Sequence, residues 1–260
     1  MELLYIGHAG ILVRHDDAMI AIDPFLSGSF YWRGKENIYK GNSPWIGQDG
    51  QMDKFIETFG GKITAIAITH AHLDHFDPPA IFKILERNPQ IQMLVPYPVS
   101  DWIKASSMFD EFISQFTLPV EWHGTYEVEA KNETLIVDVL PNPGIPKERN
   151  PYRVGYLIRR NGEKTGICHP GDAHKLGDWD HVQDRVKQLI TWCPERRKLF
   201  LEYFKKDAGG KLEKVWWIHW ERFEPGNFTC SEDPNVFMNE TKELGISTGL
   251  LDYKKWATVD

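Results

Sequence analysis

The stretch His70-Ala71-His72-Leu73-Asp74-His75 constrains this chain more than any other. It places three imidazoles and one carboxylate in six residues, directly after the apolar run Ile63-Thr64-Ala65-Ile66-Ala67-Ile68-Thr69. A short apolar run bounded by turn signals is the pattern of a buried strand. Side chains alternate along a strand, so His70 and His72 at its end can point the same way. Asp74 and His75 follow as the chain turns. Asp77-Pro78 then has the pattern of a helix N-cap and its first helical residue. Two ligands at the strand edge and two in the turn make a compact metal cage. Neutral imidazole nitrogen with carboxylate oxygen suits Zn²⁺, Fe²⁺ or Mn²⁺. A solvated His-rich loop is the competing explanation, but composition-only tracts lack strand and helix flanks in register.

The rest of the chain has to support that cage. Its 260 residues are read as one domain, 1–260, long enough to bury a sizeable core. The net charge of −7 argues against bulk nucleic-acid binding. No apolar stretch approaches the roughly 18–20 residues of a membrane span. The opening Met1-Glu2-Leu3-Leu4-Tyr5-Ile6 lacks the basic region, apolar run and cleavage site of a signal peptide. Cys168, Cys193 and Cys230 are odd in number and widely spaced, which fits reduced thiols in a cytoplasmic protein. The sequence leaves the oligomeric state open.

Hydropathy patterning predicts strands at 3–6, 10–15 and 19–22, then a long Gly-rich aromatic loop at 26–50. A helix near 52–59, the strand ending at Thr69, a helix over 78–87, a strand at 91–95 and a helix at 99–108 follow. A β run is expected from 121 to 140, with 135–140 its clearest strand. Residues 152–160 and 164–168 pair as a hairpin across Asn161-Gly162. Residues 179–206 read as mostly helical, 215–218 as a strand leading into His219, and 233–244 as a last helix. Strands first, then mixed strands and helices, suggest two sheets covered by helices.

Three later loops each follow an expected strand, and two of them can complete the cage. His169-Pro170-Gly171-Asp172-Ala173-His174 follows the strand at 164–168, and Gly171 lets the backbone turn sharply to present Asp172. His219 follows the strand at 215–218. Pro141-Asn142-Pro143-Gly144-Ile145-Pro146 follows the strand at 135–140 and offers no ligand.

With these residues the chain resembles the metallo-β-lactamase superfamily. The six residues 70–75 match its HxHxDH motif, and Gly171-Asp172 matches its bridging-aspartate loop. Ile6-Gly7-His8-Ala9-Gly10 with Ile22-Asp23-Pro24 resembles the branch holding ascorbate-6-phosphate lactonases and N-acyl phosphatidylethanolamine phospholipase D-type enzymes. Ile218-His219-Trp220-Glu221-Arg222-Phe223 is similar to that branch's IHWGTF ending, with Glu221 and Arg222 in place of Gly and Thr. The resemblance implies an α+β fold, an αββα four-layer sandwich with the metals at one edge of its two sheets. It implies His70 and His72 on one metal, Asp74, His75 and His219 on the other, and Asp172 bridging. The family's third histidine for the first metal is missing from the 141–146 loop. His123, His169 and His174 are possible substitutes, and His8 is expected to pack beneath the site.

The expected activity is that of a metal-dependent hydrolase using a metal-activated water on an ester-like bond, a lactone or a phosphodiester. One or two divalent ions are expected, zinc first, with manganese or iron as alternatives. Asp74 and Asp172 are the candidate catalytic carboxylates, and His174 (or His169) the candidate proton donor. The substrate is expected to be a small molecule, with Arg33, Lys35 and Lys40 of the 26–50 loop available to an anionic group. His70, His72 and Asp172 would form one 2-His-1-carboxylate set, and His75, His219 and Asp74 another; such sets also suit non-haem iron, so an iron-dependent oxygenase is the rival, and a binding protein with a decayed site a third reading.

Overall fold

The computed structural model describes residues 1–32, 34–47, 49–106, 116–142, 153–173, 179–192, 197–205, 209–221, 223–224 and 233–259. The first three strands, Glu2–Gly7, Gly10–His15 and Ala18–Ile22, form an antiparallel meander close to the expected bounds. Parallel strands need crossovers. The helix Gln51–Phe59 carries the chain to Ala65–Ala67, and the helix Pro78–Arg87 carries it on to Gln92–Val95. With Thr117–Pro119 and Ala257–Thr258 at its edges this makes a seven-stranded sheet.

The second sheet also has seven strands. Thr125–Glu129, Thr134–Pro141, Val154–Arg160 and Gly166–His169 run antiparallel, and Val186–Thr191, Lys214–Trp217 and Ser247–Leu250 add in parallel.

Period-two alternation sorts the side chains into layers. Leu3 and Tyr5 face inward with Ile20, Val137, Tyr156 and Ile190, forming the apolar layer between the sheets. Leu4 and Ile6 face outward against Phe55, Ile81, Ile84 and Val99 of the covering helices. On the far side Leu157, Cys168, Leu189 and Trp217 meet Phe200 and Phe204 of the helix Arg197–Phe204 and Phe237 of the helix Pro234–Glu243. The architecture is therefore the αββα sandwich that the motifs imply. Among the described residues no helix is long and apolar enough to cross a membrane.

Two expectations are corrected. Residues 179–206 are not mostly helical: Val186–Thr191 is a strand in the body of the second sheet. Its Gln188 is polar but buried, accepting a hydrogen bond from Trp216 Nε1 at 2.8 Å, a partner visible only in the fold. The 26–50 segment is not a bare loop either. Ser29–Trp32 and Lys35–Tyr39 pair as a hairpin, and Phe223–Glu224 joins as a third strand. Phe25, Phe30, Tyr39, Ile46 and Phe223 give this small sheet its own apolar cluster.

Candidate metal centre

The site is assembled at one edge, where several strands end. His8 lies in the turn after Glu2–Gly7, and Asp23 follows Ala18–Ile22. His70 to His75 follow Ala65–Ala67, Asp172 follows Gly166–His169, and His219 follows Lys214–Trp217. Asp77 caps the helix after the motif, accepting from Ala80 N–H at 3.2 Å, with Pro78 at the first helical position. It also accepts from the backbone N–H groups of Leu26 and Ser27, which ties the hairpin segment to the motif turn.

The donor atoms converge. His75 Nε2 lies 3.2 Å from Asp172 Oδ1 and 3.6 Å from Asp74 Oδ2. His219 Nε2 lies 3.6 Å from Asp74 Oδ2 and 4.0 Å from Asp172 Oδ1. His70 Nε2 lies 3.6 Å from Asp172 Oδ2. Ligands held about 2.0–2.2 Å from one ion have such separations. His70 Nε2, His75 Nε2, Asp74 Oδ1 and Asp172 Oδ1 are buried without a hydrogen-bond partner among the described residues. Buried polar atoms are normally satisfied, and a cluster of convergent orphans fits a cation better than any other ligand. The residues present therefore fit a divalent metal.

Ring orientation is set from behind. Asp23 Oδ2 lies 2.7 Å from His75 Nδ1, so that nitrogen donates and Nε2 keeps its lone pair for the centre. Thr69 donates its hydroxyl to Asp23 Oδ2 at 2.6 Å and can accept from His70 Nδ1 at 3.0 Å, which gives His70 the same tautomer. The sequence places Asp23 at the end of the meander and within the Ile22-Asp23-Pro24 resemblance, but gives it no role at the site.

Charge follows the geometry. Burial disfavours an ionised Asp74, but His75, His219 and His8 outweigh it and hold its carboxyl well below the usual range. Asp172 is likewise buried, yet held well below that range by His75 and His70. Burial also opposes a charged His75, but Asp172, Asp74 and Asp23 together push its pKa up to about 10, so a cation bound at Nε2 would take the place of a proton there. Burial above all, with His75 adding to it, keeps His70 neutral.

His8 and His219 form a strained pair. Both are non-glycine residues in the left-handed region, at φ 54° and 61°. His219 N–H donates to His8 O at 2.7 Å, and the two rings lie 3.7 Å apart. His8 Nε2 sits 2.9 Å from Asp74 Oδ2, so it orients a candidate ligand from behind the centre. Burial, then His219, lowers its pKa to about 3, which makes it a neutral donor to that carboxylate. The buried carboxylate of Glu221 anchors both turns. Its Oε2 accepts from His8 N–H at 3.0 Å and from the Tyr5 hydroxyl, and its Oε1 accepts from Tyr39 at 2.9 Å and Tyr253 at 2.8 Å. Sequence reasoning noted Glu221 only as a departure from glycine.

The expected ligands are not all brought together. His70, His75 and Asp172 form one group, and His8, Asp74, His75 and His219 another, with His75 in both. His72 belongs to neither; its Nε2 accepts a hydrogen bond from Arg153 Nη2 at 3.1 Å. The substitute role expected for His169 is corrected, because its Nδ1 accepts from Gly171 N–H and its Nε2 faces Ala9 O at 3.3 Å. His123 is exposed and faces His181, away from both groups. His174 and Arg33 lie outside the described residues, as do Cys193 and Cys230. Asn142 is buried and donates to Pro170 O at 3.2 Å.

A cleft of about 530 Å³ flanks the motif turn, lined by Ser27, Phe30 and Tyr31 of the hairpin segment, Leu73, and Pro78 and Lys83 of the capped helix. Leu73 lies between His72 and Asp74 and is 42% exposed, so the cleft meets the motif at this residue. Lys40 pairs with Glu224 at 3.8 Å, and Lys83 with Asp53, so neither is an uncommitted anion receptor.

A model of the beta-lactamase superfamily domain matches residues 20–193, a span that includes Asp23, the 70–75 motif and Asp172. A UPF0173 metal-dependent hydrolase from Polynucleobacter asymbioticus is 27% identical over 203 residues, 74% of this chain and 63% of the relative. An N-acyl-phosphatidylethanolamine-hydrolyzing phospholipase D 1 from Caenorhabditis elegans is 23% identical over 174 residues, 65% of this chain and 46% of the relative. The chain thus spans less than two thirds of the length of either. Among solved structures, the metallo hydrolase Igni18 from Ignicoccus hospitalis superposes with a TM-score of 0.72 at 17% identity, over 100% of this chain and 98% of that one. CmlA, a diiron beta-hydroxylase from Streptomyces venezuelae, superposes with a TM-score of 0.60 at 16% identity, over 99% of this chain and 54% of that one. At these identities the structural likeness speaks for the fold alone.

Proposed function

This chain belongs to the metallo-β-lactamase superfamily, and from that membership and the geometry of the site we propose that it is a metal-dependent hydrolase of an ester-like bond, a lactone or a phosphodiester. The observation that carries the reading is the convergence of His70 and Asp172, and of Asp74 and His219, on His75, with His70 Nε2, His75 Nε2 and Asp172 Oδ1 buried and without hydrogen-bond partners among the described residues. Leaving such groups unsatisfied costs about 1–3 kcal/mol each, more when charged, which argues against a decayed binding site. His70, Asp74, His75, Asp172 and His219 are the ligands, with zinc the first choice of ion.

A divalent ion there would acidify water and polarise the carbonyl or phosphoryl oxygen under attack. The chain's own groups do the rest. Asp23 holds the His75 proton at Nδ1, and His8 holds its proton at Nε2 against Asp74 Oδ2. Asp74, whose Oδ2 lies 3.6 Å from both His75 Nε2 and His219 Nε2, is the carboxylate placed to orient the attacking water. Leu73 and the hairpin segment wall a cleft against the motif turn, which is the candidate place for the rest of the substrate.

The test uses zinc-loaded protein on a panel of lactones and on bis-p-nitrophenyl phosphate. Asp74→Ala and His75→Ala should abolish turnover while circular dichroism stays unchanged. Full turnover in both variants would remove these residues from the site. The fold shared with a diiron hydroxylase, together with all-imidazole and carboxylate donors, supports the iron oxygenase as a second reading. Iron and a visible absorption band in protein purified without added metal would favour it.

A further inference from the structure

The first-metal position differs from the expected one in a way that no motif revealed. A neutral imidazole has one lone pair and one N–H. Guanidinium only donates, and it does not lose its proton in proteins. The 3.1 Å contact from Arg153 Nη2 to His72 Nε2 therefore uses the only lone pair of that ring. The proton of His72 is then at Nδ1, so neither ring nitrogen remains free to ligate. Were a metal held at Nδ1, Nε2 would carry the proton and face the guanidinium donor to donor.

The contact is built into the fold. Arg153 pairs through its backbone with His70 in an isolated β-bridge, and Val154 N–H donates to Thr69 O at 2.9 Å. The Arg153 carbonyl accepts from Trp122 Nε1 at 3.1 Å. Arg153 thus enters the motif from the edge of the second sheet, held on both sides of its own side chain.

We propose that the Arg153 guanidinium stands in for the first metal: it occupies His72, so the centre holds a single ion among His70, Asp74, His75, Asp172 and His219, and Arg153 supplies the second positive charge beside it. This rests on the metal-dependent reading given above. It also identifies a fixed cation next to the centre for an anionic oxygen of the substrate, a carboxylate or phosphate, which guanidinium recognises well.

The experiment counts metal. Wild type, Arg153→Ala, Arg153→Met, His72→Ala and the double variant Arg153→Ala/His72→Ala are stripped with chelator and titrated with Zn²⁺ by calorimetry. Bound metal is checked by elemental analysis and folding by thermal melts. Arg153→Met keeps the aliphatic stem, which guards against a folding defect in the alanine variant. Wild type should bind one ion tightly, and His72→Ala should match it within about twofold. Both Arg153 variants should gain a second site, at least about tenfold tighter than any second binding by wild type. The double variant should lose that site again. Two tight ions in wild type, or one ion in wild type and both Arg153 variants alike, would overturn the role given to Arg153. No bound ion in any of these proteins would overturn the metal-dependent reading itself.

Discussion

Replacing Glu221 by Gln tests how the two strained histidine turns are held. Glu221 is buried and accepts four hydrogen bonds, two at each oxygen. The His8 N–H cannot reverse, whereas the hydroxyls of Tyr39 and Tyr253 can rotate to accept. The amide must therefore keep its oxygen toward His8 and turn its NH₂ toward the two tyrosines. Hydrogen bonds to a charged group contribute about 1.5–3 kcal/mol and neutral ones about 0.5–1.5. The gross loss over four bonds is then about 4 kcal/mol, offset in part because a neutral amide is easier to bury than a carboxylate. A net destabilisation of about 1–3 kcal/mol results, comparable with the left-handed strain of about 1–2 kcal/mol stored at each of His8 and His219. Thermal melts should show Tm lower by about 3–10 °C. Calorimetry should show the tight-site Zn²⁺ affinity weaker by about 10–100-fold, because His219 and the partner of Asp74 both lose their anchor. Tyr253→Phe, which removes one donor from Oε1 and leaves the His8 bond to Oε2 in place, should lower Tm by less and leave the metal affinity near wild type. If Glu221→Gln kept both the wild-type Tm and the wild-type affinity, Glu221 would not be what holds these turns.

Two further outcomes follow from the same structure. His219→Ala should weaken zinc binding by about 100-fold or more in the calorimetric titration while leaving the far-ultraviolet dichroism unchanged; unaltered affinity would mean that this imidazole is only packed between His8 and Trp192. Asp138 is buried against ionisation, but Arg159 Nε at 2.9 Å, Thr125 Oγ1 at 2.7 Å and Arg185 bring its pKa below the ordinary value. A depressed folded pKa gives stability that is present above the unfolded value near 4 and is lost as pH falls through the folded one. Asp138→Asn should therefore cost about 1–3 kcal/mol at pH 7, and the gap to wild type in urea melts should close as pH drops below about 4. A gap independent of pH would argue that the carboxylate charge plays no part.

What was legible in the sequence is what depends on local pattern. Leu3 and Tyr5 against Leu4 and Ile6 reveal a strand buried on both faces, and Asp77-Pro78 marks a helix start that the structure reproduces at the same residue. The crowding of His70 to His75 at a strand end sufficed to locate the centre. What was hidden depends on partners far away in the chain. Glu221 meets His8 across 213 residues, and Arg153 meets His72 across 81. Asp23 looks like any turn residue until His75 is placed against it. Val186–Thr191 carries a polar Gln188 and adjoins the charged turn Asp180–Arg185, so helical spacing outweighed strand pattern there. The 26–50 segment was mistaken for a loop because its hairpin packs mainly on its own small aromatic cluster, a unit too short to show clear periodicity.

Anomalous diffraction from zinc-soaked crystals, recorded on both sides of the zinc absorption edge, tests the central claim most directly. The structure predicts one strong peak at the strand-end edge, about 2.0–2.2 Å from His75 Nε2, with His219 Nε2 and the carboxylates of Asp74 and Asp172 around it. A map with no peak there, or with zinc only on the surface, would contradict the reading of these residues as a metal centre.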